Sequence, residues 1–239
     1  MGDRTIDNGW EYVAALAGGL AHEIKNPLGT IGLNLQLLEE DWADPQTPKE
    51  RRTCRKLRVL QEEVRRLTQT LEDFLRFVRA EPIELRPTDL NELAREISEF
   101  VEPELARSNI EVLEQYAPDL PPCRADRRLL KQAILNIILN AQQAMADGGQ
   151  LILRTSHADG HVSIEIIDTG SGIPPRLHQK VFDLFFSTRK NGSGLGLAMA
   201  RRILQQHRGS VELHSEPGKG TDFRITLPAE GSDANREDP

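Results

Sequence analysis

The 239-residue sequence has only two cysteines and 5% aromatic residues. No apolar run approaches the roughly 18 residues that a membrane span needs. Cys54 and Cys123 lie far apart and form no CxxC pair, which excludes a disulfide framework and a cysteine zinc site and suits a reducing, cytoplasmic setting. Basic residues are also in deficit, 30 against 37 acidic for a formal charge of −7, so the positive footprint of a general nucleic-acid binder is missing. Local amides and cations can still hold phosphates in such a protein. The start, Met1–Gly9, is polar and has no signal-like segment. Apolar residues make up 38%, enough for a folded core, and the length suits one large domain or two ordinary ones.

What is present begins with helical periodicity. From about Tyr12 to Trp42, Val13, Leu16, Leu20, Ile24, Leu28, Ile31, Leu35 and Leu38 recur three or four apart and predict one apolar stripe. Asp44-Pro45-Gln46-Thr47-Pro48 ends the pattern, because proline cannot continue a helix and restricts its predecessor. A second helix is predicted from about Lys49 to Arg79, with Leu57, Leu60, Val64, Leu67, Leu71, Phe74 and Val78 as a heptad seam. Joined by a short turn, the two form an antiparallel hairpin whose stripe stays half covered. A second copy closes it as a dimeric four-helix bundle.

His22 falls about 180° from the centre of that stripe and is expected to face solvent. A solitary exposed histidine is ordinarily just solvated, but three neighbours add to it. Glu23 can take or orient a ring proton, and Asn26 lies one turn on along the same face. Pro27 sits inside a helix at a cost of about 3 kcal/mol relative to alanine. The zinc motif HExxH fails, because Asn26 stands where its second histidine is needed.

After a proline-marked linker over residues 81–87, Thr88 or Asp89 caps a helix to about Leu105. A strand at Ile110–Tyr116, a polar turn through Pro121-Pro122 and a helix from Asp126 to Met145 follow. Leu151–Thr155 and Val162–Ile167 read as a hairpin around Asp159-Gly160. A glycine-rich stretch, Gly170–Gly194, leads into a helix at Leu195–His207 and strands at Ser210–Ser215 and Asp222–Leu227. The expected fold class is α+β: a helical hairpin over residues 10–80, then an α/β sandwich over 88–228 with helices on one face of a mixed sheet. The polar tail, 229–239, is expected to be disordered.

Four clusters in the second part bear on chemistry. Asn136 and Asn140 lie one helical turn apart, and amide oxygens are neutral hard ligands suited to Mg²⁺ that phosphates also bridge. As a bare pair they could equally be polar packing. Asp168-Thr169-Gly170-Ser171-Gly172-Ile173-Pro174 follows a buried strand; a carboxylate there can accept from the exocyclic amine of adenine, while glycines let the base approach the backbone. Val181-Phe182-Asp183-Leu184-Phe185-Phe186 is an apolar knot able to anchor a mobile lid. Gly192-Ser193-Gly194-Leu195-Gly196-Leu197 opens a helix, which brings backbone N–H groups to phosphates. Asp168-Thr169-Gly170-Ser171 also matches an aspartic-protease triplet, but that chemistry needs two such carboxylates in all-β lobes. A dinucleotide or P-loop reading of Gly192–Gly196 fails for want of a preceding strand, of strict GxGxxG spacing and of the Lys-Ser/Thr pair.

In this order, the segments resemble the transmitter core of a two-component sensor histidine kinase. His22-Glu23-Ile24-Lys25-Asn26-Pro27 is similar to the H box, Gln132–Ala144 to the N box and Asp168–Gly172 to the G1 box. Phe182–Phe186 resembles the F box, Gly192–Leu197 the G2 box and Gly218-Lys219-Gly220-Thr221 a further glycine box. Asn140-Ala141-Gln142-Gln143-Ala144-Met145 and Phe185-Phe186-Ser187-Thr188-Arg189 are similar to the nitrogen-regulation branch.

The resemblance implies a GHKL-type ATP-binding domain. In it Asp168 holds the adenine amine, Asn140 ligates Mg²⁺, and Asn136 lies near the phosphates. Gly170, Gly172, Ile173, Phe182, Gly192, Ser193, Gly194, Leu195, Gly196, Leu197 and Thr221 shape the pocket and lid. Gln143 replaces a basic residue common in relatives, so phosphate neutralisation passes to Arg189 or Lys190. The resemblance further implies attack by His22 on the γ-phosphorus, with Glu23 as proton acceptor, and transfer to an aspartate of a response regulator. Asn26 then positions water for the reverse phosphatase reaction. Only about a dozen residues precede the first helix, so sensing is expected from a separate protein or from a domain outside this sequence. The alternative is a nucleotide-gated dimeric interaction module without kinase activity, against which the intact Glu23 and Asn26 count.

Overall fold

The computed structural model describes residues 4–42, 44–78, 82–189 and 192–231, with side chains for Leu20 and from residue 23 onward within those ranges. It divides into two units: Met1–Glu81 with Thr188–Leu195, and Pro82–Ser187 with Gly196–Pro239.

The first unit is built on α1 (Arg4–Asp41) and α2 (Pro48–Val78). Helix α1 continues through Pro27, whose ring removes the helix hydrogen bond to the Glu23 carbonyl. Helix α2 starts with a capping box: the Glu50 N–H donates to Thr47 Oγ1 at 3.2 Å, and the Thr47 N–H donates back to Glu50 Oε2 at 2.9 Å. That bond and a second from the Gln46 N–H hold the Glu50 carboxyl below its ordinary value. Pro48 takes the first helical position, where no N–H is needed.

The helices pack antiparallel. The Cys54 thiol donates to the Trp42 carbonyl at 3.3 Å, the Gln61 amide to the Leu35 carbonyl at 3.3 Å, and Lys25 pairs with Glu72 at 2.8 Å. The heptad rows divide unequally. Leu28 and Leu35 on α1, with Leu57, Val64 and Leu71 on α2, are buried or half-buried in the hairpin. Ile24, Ile31 and Leu38 on α1 and Leu60 and Leu67 on α2 remain 38–52% exposed. One row of each helix is therefore covered and the next left open.

The second unit contains β1 (Arg86–Thr88), α3 (Leu90–Arg107), β2 (Ile110–Gln115), β3 (Cys123–Ala125), α4 (Arg127–Ala144), β4 (Gly149–Ala158) and β5 (His161–Asp168). The chain then passes through two short 3₁₀ turns to α5 (Gly196–Gln206), β6 (Ser210–Ser215) and β7 (Thr221–Pro228). The main sheet has the order β2-β4-β5-β7-β6, with β2 parallel to β4 and the other pairs antiparallel, which is the expected mixed sheet. Asp159 and Gly160, at φ 51° and 72°, make the tight turn between β4 and β5. Strand parity sends Val162, Ile164 and Ile166 of β5 and Phe223, Ile225 and Leu227 of β7 into the core, with Leu93, Ile97, Ile134, Ile137 and Ile138 from α3 and α4 also buried. On the opposite parity, Glu165 is buried between Arg154 and Arg224, which bond both of its oxygens, so the charge is paired.

Two expectations are corrected here. The linker shortens, because Arg86–Thr88 pairs antiparallel with Cys123–Ala125. Pro87 is tolerated in so small a two-stranded sheet, and the Thr88 hydroxyl shares its one proton between the Arg86 carbonyl at 3.0 Å and the Ala125 carbonyl at 3.2 Å. Order also runs past Pro228: Ala229 is buried and bridged to Cys123, and the Glu230 N–H donates to the Pro122 carbonyl at 2.8 Å. Residues 232–239 lie outside the described residues.

Asp126 is a junction. Its Oδ1 accepts from Arg128 N and Leu129 N, capping α4, and its Oδ2 accepts the Glu84 N–H at 3.2 Å. Its own N–H donates to His207 Nε2 at 3.0 Å, while His207 Nδ1 donates to the Ile203 carbonyl at 2.7 Å. Burial alone raises the Asp126 carboxyl, but the three N–H donors and the Arg128 charge outweigh it and hold the group below its ordinary value. Its stabilisation is therefore present above the unfolded value of about 3.9 and lost as pH falls through the lower folded value. Asp126→Asn keeps a capping oxygen but turns an amide N–H toward the Glu84 N–H. It is therefore expected to cost about 1 kcal/mol at neutral pH and to flatten the acid side of the stability curve, read by thermal unfolding from neutral to acid pH. Parallel curves for the two proteins contradict this.

Candidate functional site

Residues able to do chemistry fall in both units. On α1, Glu23 and Asn26 are exposed. Lys25 between them reaches across the hairpin to Glu72, and its hydrogen bond and charge hold that carboxyl below its ordinary value. The contact links α1 to α2 at this height. Thr30 Oγ1 donates to the Asn26 carbonyl at 3.1 Å. His22 belongs to α1, but its side chain, and with it the expected outward orientation, lies outside the described residues.

In the second unit α4 forms a wall. Asn136, Asn140 and Ala144 follow one another at single-turn spacing along one face, about 12 Å in all. At one end, a Cβ on Gly196, the first residue of α5, would lie 3.9 Å from Asn136 Cβ, so the N-terminus of α5 stands beside that amide. At the other end the Ser171 N–H donates to the Ala144 carbonyl at 3.1 Å, and a Cβ on Gly170 would lie 2.7 Å from the same oxygen. Only glycine fits there. Asn136 and Asn140 are half-buried.

Asp168 ends β5 with core-facing parity and is 2% exposed. Its Oδ1 accepts the Gly170 N–H at 2.8 Å, and its register partners are Leu151 on one side and Thr221 on the other. Gly172, at φ 69°, has no room for a Cβ against the Glu216 carbonyl. The Ile173 N–H donates to Ser215 Oγ at 2.7 Å, and the Ile173 carbonyl accepts from His178 Nε2 at 2.9 Å. Asp168, Gly170, Gly172, Ile173 and Thr221 are thus gathered at the ends of β5, β6 and β7, with Asn136, Asn140, Gly196 and Leu197 on α4 and α5.

Phe182 packs edge-on to the buried Phe223 with ring centroids 6.3 Å apart, and the Arg201 guanidinium lies 6.0 Å from its ring centre. That fastens the apolar knot to the sheet. Arg189, Gly192, Ser193, Gly194 and Leu195 fall in the Thr188–Leu195 segment of the first unit, and Lys190 lies outside the described residues. A concavity of about 470 Å³ beside β1 and the starts of α3 and α4 contains none of the expected site residues. Among the described residues there is no cluster of three metal-binding side chains. No described helix is long and apolar enough to cross a membrane. Ser215 and His178 were not among the expected residues. The signal for Ser215 was its place at the head of Ser215-Glu216-Pro217-Gly218-Lys219-Gly220-Thr221, where a hydroxyl precedes a tight glycine turn.

Residues 13–83 match the family described as His Kinase A (phospho-acceptor) domain, and residues 125–231 match the Histidine kinase-, DNA gyrase B-, and HSP90-like ATPase family. The sensory histidine kinase/phosphatase NtrB of Rhizobium meliloti is 34% identical over 244 residues, covering 95% of this chain and 62% of that protein. The chain belongs to the histidine kinases. The NtrB match falls in the branch that the segments at Asn140 and Phe185 resemble.

Two solved structures share the fold, one of them that of the histidine kinase ThkA. Full-length ShkA in complex with AMPPNP has a TM-score of 0.69 at 29% identity, covering 93% of this chain and 47% of that one. ThkA in complex with the response regulator protein TrrA has a TM-score of 0.68 at 25% identity, covering 95% and 65%. This histidine kinase chain spans between 28% and 62% of the length of the curated relatives it matches.

Proposed function

We propose that the chain catalyses ATP-dependent phosphorylation of its own His22 and passes the phosphoryl group to an aspartate of a response regulator. One arrangement carries the reading: the buried Asp168 carboxylate and the Asn136–Asn140 face of α4, bounded by Gly170 and Gly196. Its length suits a nucleoside triphosphate, with the base at Asp168 and the phosphates toward Asn136 and the start of α5.

The donor set fits Mg²⁺: Asn140 would hold it through a neutral amide oxygen, and the ion supplies charge neutralisation for the phosphates. The chain's own residues do the rest. Asp168 accepts from the adenine amine, and the N–H groups at the start of α5 face developing negative charge. A ring nitrogen of His22 attacks the γ-phosphorus, the bond to the ADP oxygen breaks, and Glu23 takes the ring proton. Phosphoryl transfer of this kind is chiefly positioning, which docking of two separate units supplies.

Asn26, exposed one turn beyond His22, is assigned to the hydrolytic direction by holding the water that attacks the partner's phosphoaspartate. The open heptad rows of α1 and α2 are assigned to a second copy, in a four-helix bundle. Use of ATP places the reaction in the cytoplasm.

Two measurements test the site. Incubation with Mg²⁺ and γ-labelled ATP is expected to give acid-labile, base-stable protein label, and binding without label overturns the kinase reading. Asp168→Asn is expected to weaken ATP binding by about tenfold to a hundredfold in a direct titration, since the amide offers a donor where the adenine amine needs an acceptor. Unchanged affinity rejects the base-holding role.

A further inference from the structure

Ser215 closes β6 opposite Thr221, on the core-facing side of the sheet. A serine hydroxyl has one proton and two acceptor sites. All three are used here. Its proton goes to the Gly220 carbonyl at 2.7 Å, and one lone pair accepts the Ile173 N–H at 2.7 Å. Thr221 Oγ1 stands 3.1 Å away, and with the serine proton already spent, the threonine is the donor to the second lone pair.

One oxygen thereby joins the loop after Asp168 to the turn before Thr221. The same two segments meet at three further points. The Gly218 N–H donates to the Ser171 carbonyl at 2.8 Å. Gly172 lies against the Glu216 carbonyl, and Gly220 against the Asp168 carbonyl, each too close for a side chain. The serine hydroxyl holds the Ile173 N–H, and His178 Nε2 holds the carbonyl of the same residue at 2.9 Å, so of the two side chains on Ile173 only the serine ties it to β6.

We infer that Ser215 is a positioning residue that sets base discrimination by holding the Gly170–Ile173 backbone at its working distance from Asp168. The inference rests on the reading of Asp168 as the base-holding carboxylate. Ser215 acts through the loop and not by touching the nucleotide. Loosening the loop costs most for the base whose amine must meet Asp168. Guanine presents a carbonyl oxygen where adenine has that amine, so it gains nothing from the aligned carboxylate.

The test is calorimetric titration of the whole chain with ATP and with GTP, for the wild type, Ser215→Ala, Ser215→Thr and Asp168→Asn. Ser215→Ala is expected to weaken ATP about tenfold and GTP much less, with Ser215→Thr restoring the wild-type preference. Equal weakening of both nucleotides, no weakening, or failure of the threonine variant to restore the preference overturns the inference.

Amide hydrogen exchange of the wild type gives a check that needs no variant. The Ile173 N–H is expected to be protected although it lies in a loop, and fast exchange overturns the brace. If Asp168→Asn leaves ATP affinity unchanged, the base reading falls. Protection of Ile173, and its loss in Ser215→Ala, then still decides whether the brace exists.

Discussion

His22→Gln is expected to reduce phosphoryl label on the protein to background, a fall of about 10³-fold or more, as removal of a nucleophile does in enzymes that form a covalent intermediate. The glutamine amide is similar in polarity and tolerated in a helix, but its nitrogen pair is delocalised and does not attack phosphorus. His22 sits on α1 in the first unit and the Asp168 cluster in the second, so ATP affinity is expected to stay within about twofold of wild type. Labelling and titration on the same preparations therefore separate lost chemistry from lost binding. Label that persists in His22→Gln, or that survives acid, moves the acceptor to another residue and removes His22 from the mechanism. Glu23→Gln is the companion variant. It keeps the imidazole and removes the proton acceptor, so label slows by about 10²-fold instead of vanishing.

Much of this architecture is legible from periodicity. The seam at Leu57, Leu60, Val64, Leu67 and Leu71 predicts α2 and a stripe that one partner helix only half covers, while which row stays open is seen only in the structure. The cap Asp126 and the turn at Asp159-Gly160 are equally plain, since each is a local hydrogen-bonding or φ requirement that few residues meet. For the cap of α3 the sequence leaves Thr88 and Asp89 as alternatives, and the structure shows Asp89. Asp168 is visible as a carboxylate ending an apolar strand. What escapes has no local signature. β1 and β3 are three residues each, too short for alternation to register, and Pro87 within β1 and Pro121-Pro122 ahead of β3 read as linker and turn. The Ser215 brace joins positions 42 residues apart, and the Glu165–Arg224 pair joins positions 59 apart. Such partners become neighbours only once the order β5-β7-β6 is known. The site is accordingly half visible: the residues that would meet a ligand announce themselves by type and order, whereas those that hold them in place do not.

Asn140→Ala is the variant that separates a metal-holding amide from one that merely packs. Alanine is the better helix former by about 0.6 kcal/mol, and Asn140 lies mid-turn on α4, half-buried, between Asn136 and Ala144. The variant is therefore expected to keep the fold. A packing role predicts a small change in melting temperature and labelling within a fewfold of wild type. A metal-holding role predicts labelling down by about 10²-fold or more across a wide Mg²⁺ range, with the protein still folded, because removing transition-state electrostatic stabilisation costs about 3 kcal/mol. Asn140→Asp sharpens the contrast: it retains an oxygen donor and adds a charge, so part of the labelling should return with a lower Mg²⁺ requirement. The Mg²⁺ dependence of labelling in the three proteins is the measurement. Wild-type rates and an unchanged Mg²⁺ midpoint in Asn140→Ala would show that the ion is held elsewhere, and would leave the Asn136–Asn140 face as a wall of the pocket alone.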